Sequence, residues 1–596
     1  MVEEKIEPRE INFRQWLPWT QIFRGFWIAL DHKKLLLAAA GIVVMAFGWW
    51  LWSAIFFNLR AEPKWGGSEY TNNWEDFKKD RDRWNLLYEA AGKKPLLRDE
   101  NDLATNPDEF RELQATALLI EKEKLTDEQV REQVKKGALP AIALRWIGRT
   151  PKPYGKLRTW PWDEDRGPNP LLLVTGHEGQ ADATGLAHYA PWRRGQFSGP
   201  LDWFFSEQLP VLVEPLVKLF RPVKYFLHPN AGFLEQFYFL LVLIWTVGTW
   251  AVFGGAITRI AAVEITRNEK IGMGEALRFV RARWKSYVFA SFLPLIIIAG
   301  IVLLLALFGA VNWIPFLAEI WNGLLWFLAL GGGLAIAVLL VGLIGWPMIH
   351  ATLSTEGSDS FDALSRSYSY VLLKPWSYLW YAVVALAYGA VIVFFVGLMG
   401  SLTVYLAKWG TSQFTSSRGF GRYSDPSPMF IWAPKSFGWR DLLLQGSPLA
   451  ADNPTDIDAA ISAYTDSPNF SRRYYIGASL IAAWLYLFFL LVVGYGYSYF
   501  WSASTMIYLL MRRKADDTEM DEIYLEEEDS DEPYSTTAPA TSVPPAASSA
   551  PAPMQLVEPP TLRQPAPTTA APSEPEGSSQ PKVGDGEAAP SGGTPA

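Results

Sequence analysis

A chain of 596 residues without a single cysteine forms no disulfide, no thiolate zinc site and no iron–sulfur cluster, and it has no cysteine nucleophile. Its composition, 49% hydrophobic and 14% aromatic, is spread unevenly, and the apolar residues gather in runs too long for ordinary core helices. The formal net charge of −8 arises largely in one C-terminal stretch, so it gives no reason to expect a nucleic-acid partner.

Residues 1–34 form a lead in which Trp16, Trp19, Phe23, Phe26 and Trp27 mix with Arg14 and Arg24. The pattern over Ile11 to Leu30 predicts a helix lying in the membrane interface. The first apolar run, 35–57, starts too late and runs too long for the core of a cleavable signal, so it reads as a retained signal anchor. Five more runs of 18 or more apolar residues predict membrane spans: about Phe237 to Ile257, Tyr287 to Val311, Leu324 to Ile349, Tyr378 to Ala407 and Tyr475 to Leu510. The last exceeds the roughly 20 residues a bilayer requires. It must tilt, project from the membrane or break, and Gly494 and Gly496 are the candidate break points.

Between the first two spans lies a long segment, 58–235. Pro107, Asp108 and Glu109 look like a helix start, and Leu113, Ala117, Leu118 and Ile120 supply its apolar stripe. Thr126-Asp127-Glu128-Gln129 predicts a second capped start. A strand is expected at Leu171 to Thr175. Val211 to Phe226 should be an amphipathic helix near the outer surface, kinked by Pro215 and Pro222.

Residues 236–407 form the expected core, which carries a repeated pattern. A span ends near Gly255; Glu275-Ala276-Leu277 follows, and Ser286-Tyr287 opens the next span. A span ends near Pro347; Asp362-Ala363-Leu364 follows, and Ser377-Tyr378 opens another. This predicts two parallel-repeated hairpins. Residues 408–473 read as an outer loop, 474–511 as the sixth span, and 512–596 as a disordered tail, acidic from Asp516 to Glu532 and then rich in Pro, Ala and Ser. The fold class expected is an all-α integral membrane protein of six spans with a mainly helical extracytoplasmic domain.

Positive residues flanking spans mark the cytoplasmic side. Clusters at Arg9 to Lys34, Arg259 to Lys285, Arg366 with Lys374, and Arg512 to Lys514 fall on one side if there are six spans. Both termini are then cytoplasmic, and the expected location is a bacterial inner membrane.

Candidate chemistry is sparse. His177, Glu178 and His188 are the only His/Glu grouping, but they sit in a glycine-rich stretch without metal-ligand spacing, and we read them as a polar loop rather than a metal site. No catalytic residue and no cofactor is expected. Arg259, Arg267, Lys270, Arg278, Arg281, Arg283 and Lys285 form a basic membrane-interface group able to attract anionic headgroups. Around it Met273, Ala276, Leu277, Val280 and Trp284 recur at helical spacing. Gly331, Gly332 and Gly333 suit close helix packing. The spans lack charge at mid-depth, which argues against a proton-coupled pump.

The unit of span, interfacial helix with an Ala-Leu centre, aromatic residues and span resembles a group of uncharacterised bacterial integral membrane proteins. It is also similar to the membrane domain that precedes some glycerophosphodiester phosphodiesterases. The resemblance covers about 236–407 and rests on Glu275-Ala276-Leu277, Asp362-Ala363-Leu364 and the aromatic residues that follow them. No stretch could form that family's separate hydrolase barrel, so the resemblance implies a membrane-embedded accessory module and not an enzyme. The expected function is a non-catalytic membrane scaffold or assembly component. Its partners would be the lipid bilayer and proteins met through the tail or the extracytoplasmic domain. The alternative is a small-molecule or lipid transporter built on the repeated hairpins, which a cluster of polar side chains facing a cavity between spans two to five would favour.

Overall fold

The computed structural model describes residues 17–57, 74–75, 107–147, 160–164, 166–175, 200–229, 231–314, 317–417, 427–444, 461, 465 and 472–525. Among these residues every regular element is a helix. Six helices are long and apolar enough to cross a membrane.

After a 3-10 turn at Pro18–Arg24 come α1 (Gly25–Ala29) and α2 (His32–Phe57). The expected interfacial helix over 11–30 is thus a broken one in its described part. Ile22, Ile28 and Ala29 are buried against the bundle, while Leu17, Phe23, Trp27 and Leu30 are exposed.

Helices α3 (Pro107–Glu123), α4 (Asp127–Lys135) and α5 (Ile142–Ile147) follow. They enclose a small core of Phe110, Leu113, Ala117, Ile120, Val130, Leu139, Ile142 and Ala143. The box at Thr126 is formed: the Gln129 backbone N–H donates to Thr126 Oγ1 at 3.4 Å, and the Thr126 N–H donates to Gln129 Oε1 at 2.9 Å. Thr126→Ala removes one partner of this pair. It should cost about 1 kcal/mol of local stability, read as roughly fivefold faster amide exchange in α4.

The strand expected at Leu171 to Thr175 is instead helix α6 (Pro170–Thr175). Asn169 decides this, because its Oδ1 accepts from the Leu171 N–H at 2.9 Å and caps the turn. Next come α7 (Pro200–Trp203), a wide π turn at Phe204–Gln208, α8 (Leu209–Leu212) and α9 (Glu214–Phe226). Pro215 stands in the first turn of α9, where it costs nothing, and Pro222 lies inside. Far from resting on an outer surface, α8 and α9 enter the bundle: Leu212, Glu214, Lys218 and Leu219 are buried.

The bundle continues with α10 (Phe233–Arg267), α11 (Met273–Ala282), α12 (Trp284–Ala310), α13 (Leu317–Gly342), α14 (Trp346–Glu356), α15 (Ser360–Leu373) and α16 (Pro375–Ser417). Short α17 (Trp439–Leu444) precedes α18 (Arg472–Asp516). Helix α18 is continuous through Gly494 and Gly496, so of the three alternatives the break is not taken. Gly494 serves contact instead: a Cβ there would lie 3.2 Å from the Leu35 carbonyl oxygen, so its absence lets α2 and α18 approach closely.

The stretch following 512 also departs from expectation. Residues 517–525 are folded back on the end of α18, where Arg512 donates to the Glu519 and Glu522 carbonyls at 3.1 and 2.6 Å. The Tyr524 N–H donates to the Thr355 carbonyl at 2.8 Å. These backbone contacts outweigh the local acidity. Residues 526–596 lie outside the described residues.

Candidate functional site

The most concentrated chemistry lies where the segment preceding α6 meets the start of α9. Arg166 spends all five guanidinium donors there. Its Nε donates to Glu214 Oε2 at 2.7 Å and its Nη2 to Glu214 Oε1 at 2.8 Å, a bidentate pair. Nη2 also meets Glu164 Oε2 at 2.9 Å. Nη1 donates to the Pro161 carbonyl and, at 3.0 Å, to Ser436 Oγ. Lys218, one helical turn beyond Glu214, bridges both carboxylates at 2.6 and 2.8 Å. Tyr497 completes the group by donating to Glu214 Oε1 at 3.1 Å.

The four charged side chains are nearly all out of solvent, at 3% for Arg166, 4% for Lys218, 9% for Glu214 and 14% for Glu164. Two cations face two carboxylates, so the cluster is neutral. Burial alone would raise the Glu214 carboxyl. The adjacent Arg166 guanidinium and Lys218 ammonium overcome that and hold it well below the usual carboxylate range. Burial would likewise lower Arg166, and the carboxylates of Glu214 and Glu164 hold it above its ordinary value.

Its height in the bundle follows from Tyr497. That ring stacks on Trp250 with centroids 4.8 Å apart, and Trp250 stands midway between the ends of α10. Charge at half the height of a spanning helix is costly unless paired, and here it is paired throughout. The group joins the 160–175 segment, α9, the turn at Ser436 and α18. Its chemistry is that of a clamp, with both cations held between carboxylates.

A second polar group gathers at the C-terminal end of α14. Glu356 accepts from Tyr508 Oη. It also pairs with Arg366 at 3.0 Å and lies 3.7 Å from Arg512. Arg366 reaches Asp362 at 3.1 Å, and Tyr370 donates to Asp516. Gly357, with φ of +62°, turns the chain out of α14, and the Tyr524 ring packs where its Cβ would stand. A third lies between α10, α12 and α14: Tyr287 Oη and Ser354 Oγ are 2.8 Å apart, and Ser354 Oγ and Thr258 Oγ1 2.6 Å apart.

The residues singled out from sequence fare differently. His177, Glu178 and His188 lie outside the described residues. Among those described, no group of three His, Asp or Glu side chains could hold a metal. Arg259 does not belong to the membrane-interface group. It is buried, donates to the Ser354 carbonyl at 2.7 Å, and its guanidinium lies 4.0 Å from the Phe279 ring. Arg283 is half-buried between Phe279 and Tyr524, 4.4 and 5.1 Å from their ring centres. Arg267, Lys270, Arg278, Arg281 and Lys285 are exposed. Of the α11 stripe, Ala276 and Val280 are buried with Phe279, while Met273 and Trp284 remain exposed. A Cβ on Gly332 would lie 2.8 Å from Leu305, whereas Gly331 and Gly333 have nothing within 4 Å.

Sequence reasoning missed the Arg166 cluster because it looked for charge only inside the apolar runs. One signal was available: Glu214 and Lys218 sit at i and i+4 on an otherwise apolar segment. Nothing local pairs them with Arg166. Compared with known protein families, curated proteins and solved structures, the chain matches none, so its functional reading rests on geometry.

Proposed function

We propose that this protein is a non-catalytic scaffold or assembly component of a membrane complex, with the hairpin α12–α13 as its partner-facing surface. One observation carries this reading. In the apolar windows of the spanning helices, 61% of α10 is buried but only 17% of α12 and 6% of the α13–α14 helix. The hairpin touches the rest of the bundle along one flank. Its open side carries Gly331 and Gly333, which admit close approach of another helix.

The saturated Arg166 cluster fits the same reading, because it fastens non-spanning segments to the bundle and leaves no free charge to work on a substrate. The hairpins are read as copies of one duplicated unit. Support comes from the left-handed caps Asn268 (φ +58°) and Gly357 (φ +62°), each ending a spanning stretch, α10 or α13–α14, before a helix that buries an Ala, Ala276 or Ala363. The exposed Arg267, Lys270, Arg278, Arg281 and Lys285 suit anionic headgroups on a cytoplasmic face. With them both termini are cytoplasmic, and the location is a bacterial inner membrane. The role is that of an accessory module.

The test uses the full chain purified in lipid nanodiscs, with mass spectrometry of what accompanies it. Gly331→Leu with Gly333→Leu should leave thermal unfolding unchanged and reduce a stoichiometric protein partner at least tenfold. A partner retained at wild-type level would remove the hairpin from the interface. A transporter is the second reading, favoured by the Tyr287, Ser354 and Thr258 cluster between α10, α12 and α14. One enriched small molecule and no protein would put it first.

A further inference from the structure

His350 stands on α14 at the junction of four helices, 1% exposed. The rings of Trp501, Trp346 and Tyr287 surround it, with centroids 4.7, 5.3 and 5.7 Å away. Two glycines of α10 make room for this cage. A Cβ on Gly254 would lie 2.8 Å from Trp501, and one on Gly255 2.9 Å from Tyr287.

Among the described residues neither ring nitrogen of His350 has a hydrogen-bond partner, and neither does Nε1 of the adjacent Trp501. A neutral imidazole offers one donor and one acceptor, and the indole one more donor. Leaving such groups unmatched in a packed interior costs about 1–3 kcal/mol each. Native interiors tolerate this rarely, and the common remedy is an ordered water making two to four hydrogen bonds. A leucine or phenylalanine would fill the same cage without that cost.

The occupant's charge follows from the neighbours. On α10, Arg259 is committed to the Ser354 carbonyl and the Phe279 ring. On α12, the Tyr287 hydroxyl is engaged with Ser354. On α14, Glu356 is engaged with Tyr508 and Arg366, and on α18 Arg512 lies toward Glu356 and residues 519–522. Among the described residues no counter-charge is placed against His350, so a charged occupant would be unpaired in a medium of low dielectric.

We propose that His350 and Trp501 form an internal site for a small uncharged hydrogen-bonding ligand, water itself or a solute of its size. This site is independent of the scaffold reading, and its test involves no partner protein. Water is the probe. In the full chain in nanodiscs, labelled with ¹⁵N-histidine, magnetisation transferred from water should reach the His350 ring nitrogens. Their signals are those that vanish in His350→Phe. Slow or absent transfer to these nitrogens overturns the proposal.

Thermal unfolding gives a second reading. If the site is occupied, His350→Phe lowers Tm, because the Trp501 N–H and the ligand lose their shared partner. If it is dry, the same change raises Tm by removing two unmatched nitrogens, and the proposal fails. Should His350→Phe not fold, His350→Gln, which keeps a donor and an acceptor, identifies the signals instead.

Discussion

Glu214→Ala is expected to destabilise the protein by about 3–5 kcal/mol, the cost of leaving buried charge without its partner. Arg166 would lose its bidentate acceptor, Lys218 its nearest carboxylate and Tyr497 its acceptor. Only Glu164 would remain to face two cations. Replacing both members of the central pair, Arg166→Met with Glu214→Leu, should cost distinctly less than the sum of the single changes. It removes the charges together and leaves Lys218 with Glu164. Thermal or denaturant unfolding in nanodiscs measures both.

A pH dependence follows with a fixed sign. Glu214 is depressed in the folded state, so its contribution is fully present above the unfolded carboxylate value of about 4.3. That contribution declines as pH falls below this value toward the folded one, and Glu214→Gln should flatten this acid limb.

The second large effect is steric. At Gly342 on α13 an added Cβ would lie 2.1 Å from Cδ1 and 2.9 Å from Cγ of Tyr368. The contact reaches the root of the ring, so rotating its far end brings no relief. Tyr368 is also held by its hydroxyl, which donates to the Leu339 carbonyl at 3.0 Å. Gly342→Val should therefore cost about 3 kcal/mol and part α15 from α13. Gly333→Val on the same helix is the control. Nothing lies within 4 Å of its Cβ, and valine is well accommodated by a helix in lipid, so unfolding should be unchanged. Equal losses at both positions would mean that glycine acts through helix propensity and not through packing.

What the sequence revealed and what it hid divide along a physical line. The six spans are set by runs of apolar residues, and the Thr126 cap by residues three apart, so both are legible locally. The Arg166 cluster depends on α9 entering the bundle. Arg166 pairs with Glu214, 48 positions away, and with Ser436, 270 positions away. No periodicity records such a meeting. Arg259 looked like its basic neighbours Arg278 and Arg281, and only the proximity of Ser354 and Phe279 sets it apart. Gly494 was read as a weak point because glycine permits both breaking and contact, and the choice lay with α2. The acidic stretch after Asp516 was read by composition, whereas its backbone contacts with Arg512 and Thr355 fix residues 517–525.

The scaffold reading makes one demand on the membrane surroundings of α12–α13, and photo-crosslinking in native membranes tests it most directly. A benzophenone amino acid would replace Leu330 or Leu334, which are 64% and 68% exposed. The account predicts a covalent adduct with one defined protein from both positions and none from a probe at the exposed Trp380 of α16. Adducts with lipid alone would contradict it and leave the hairpin as bilayer-facing surface.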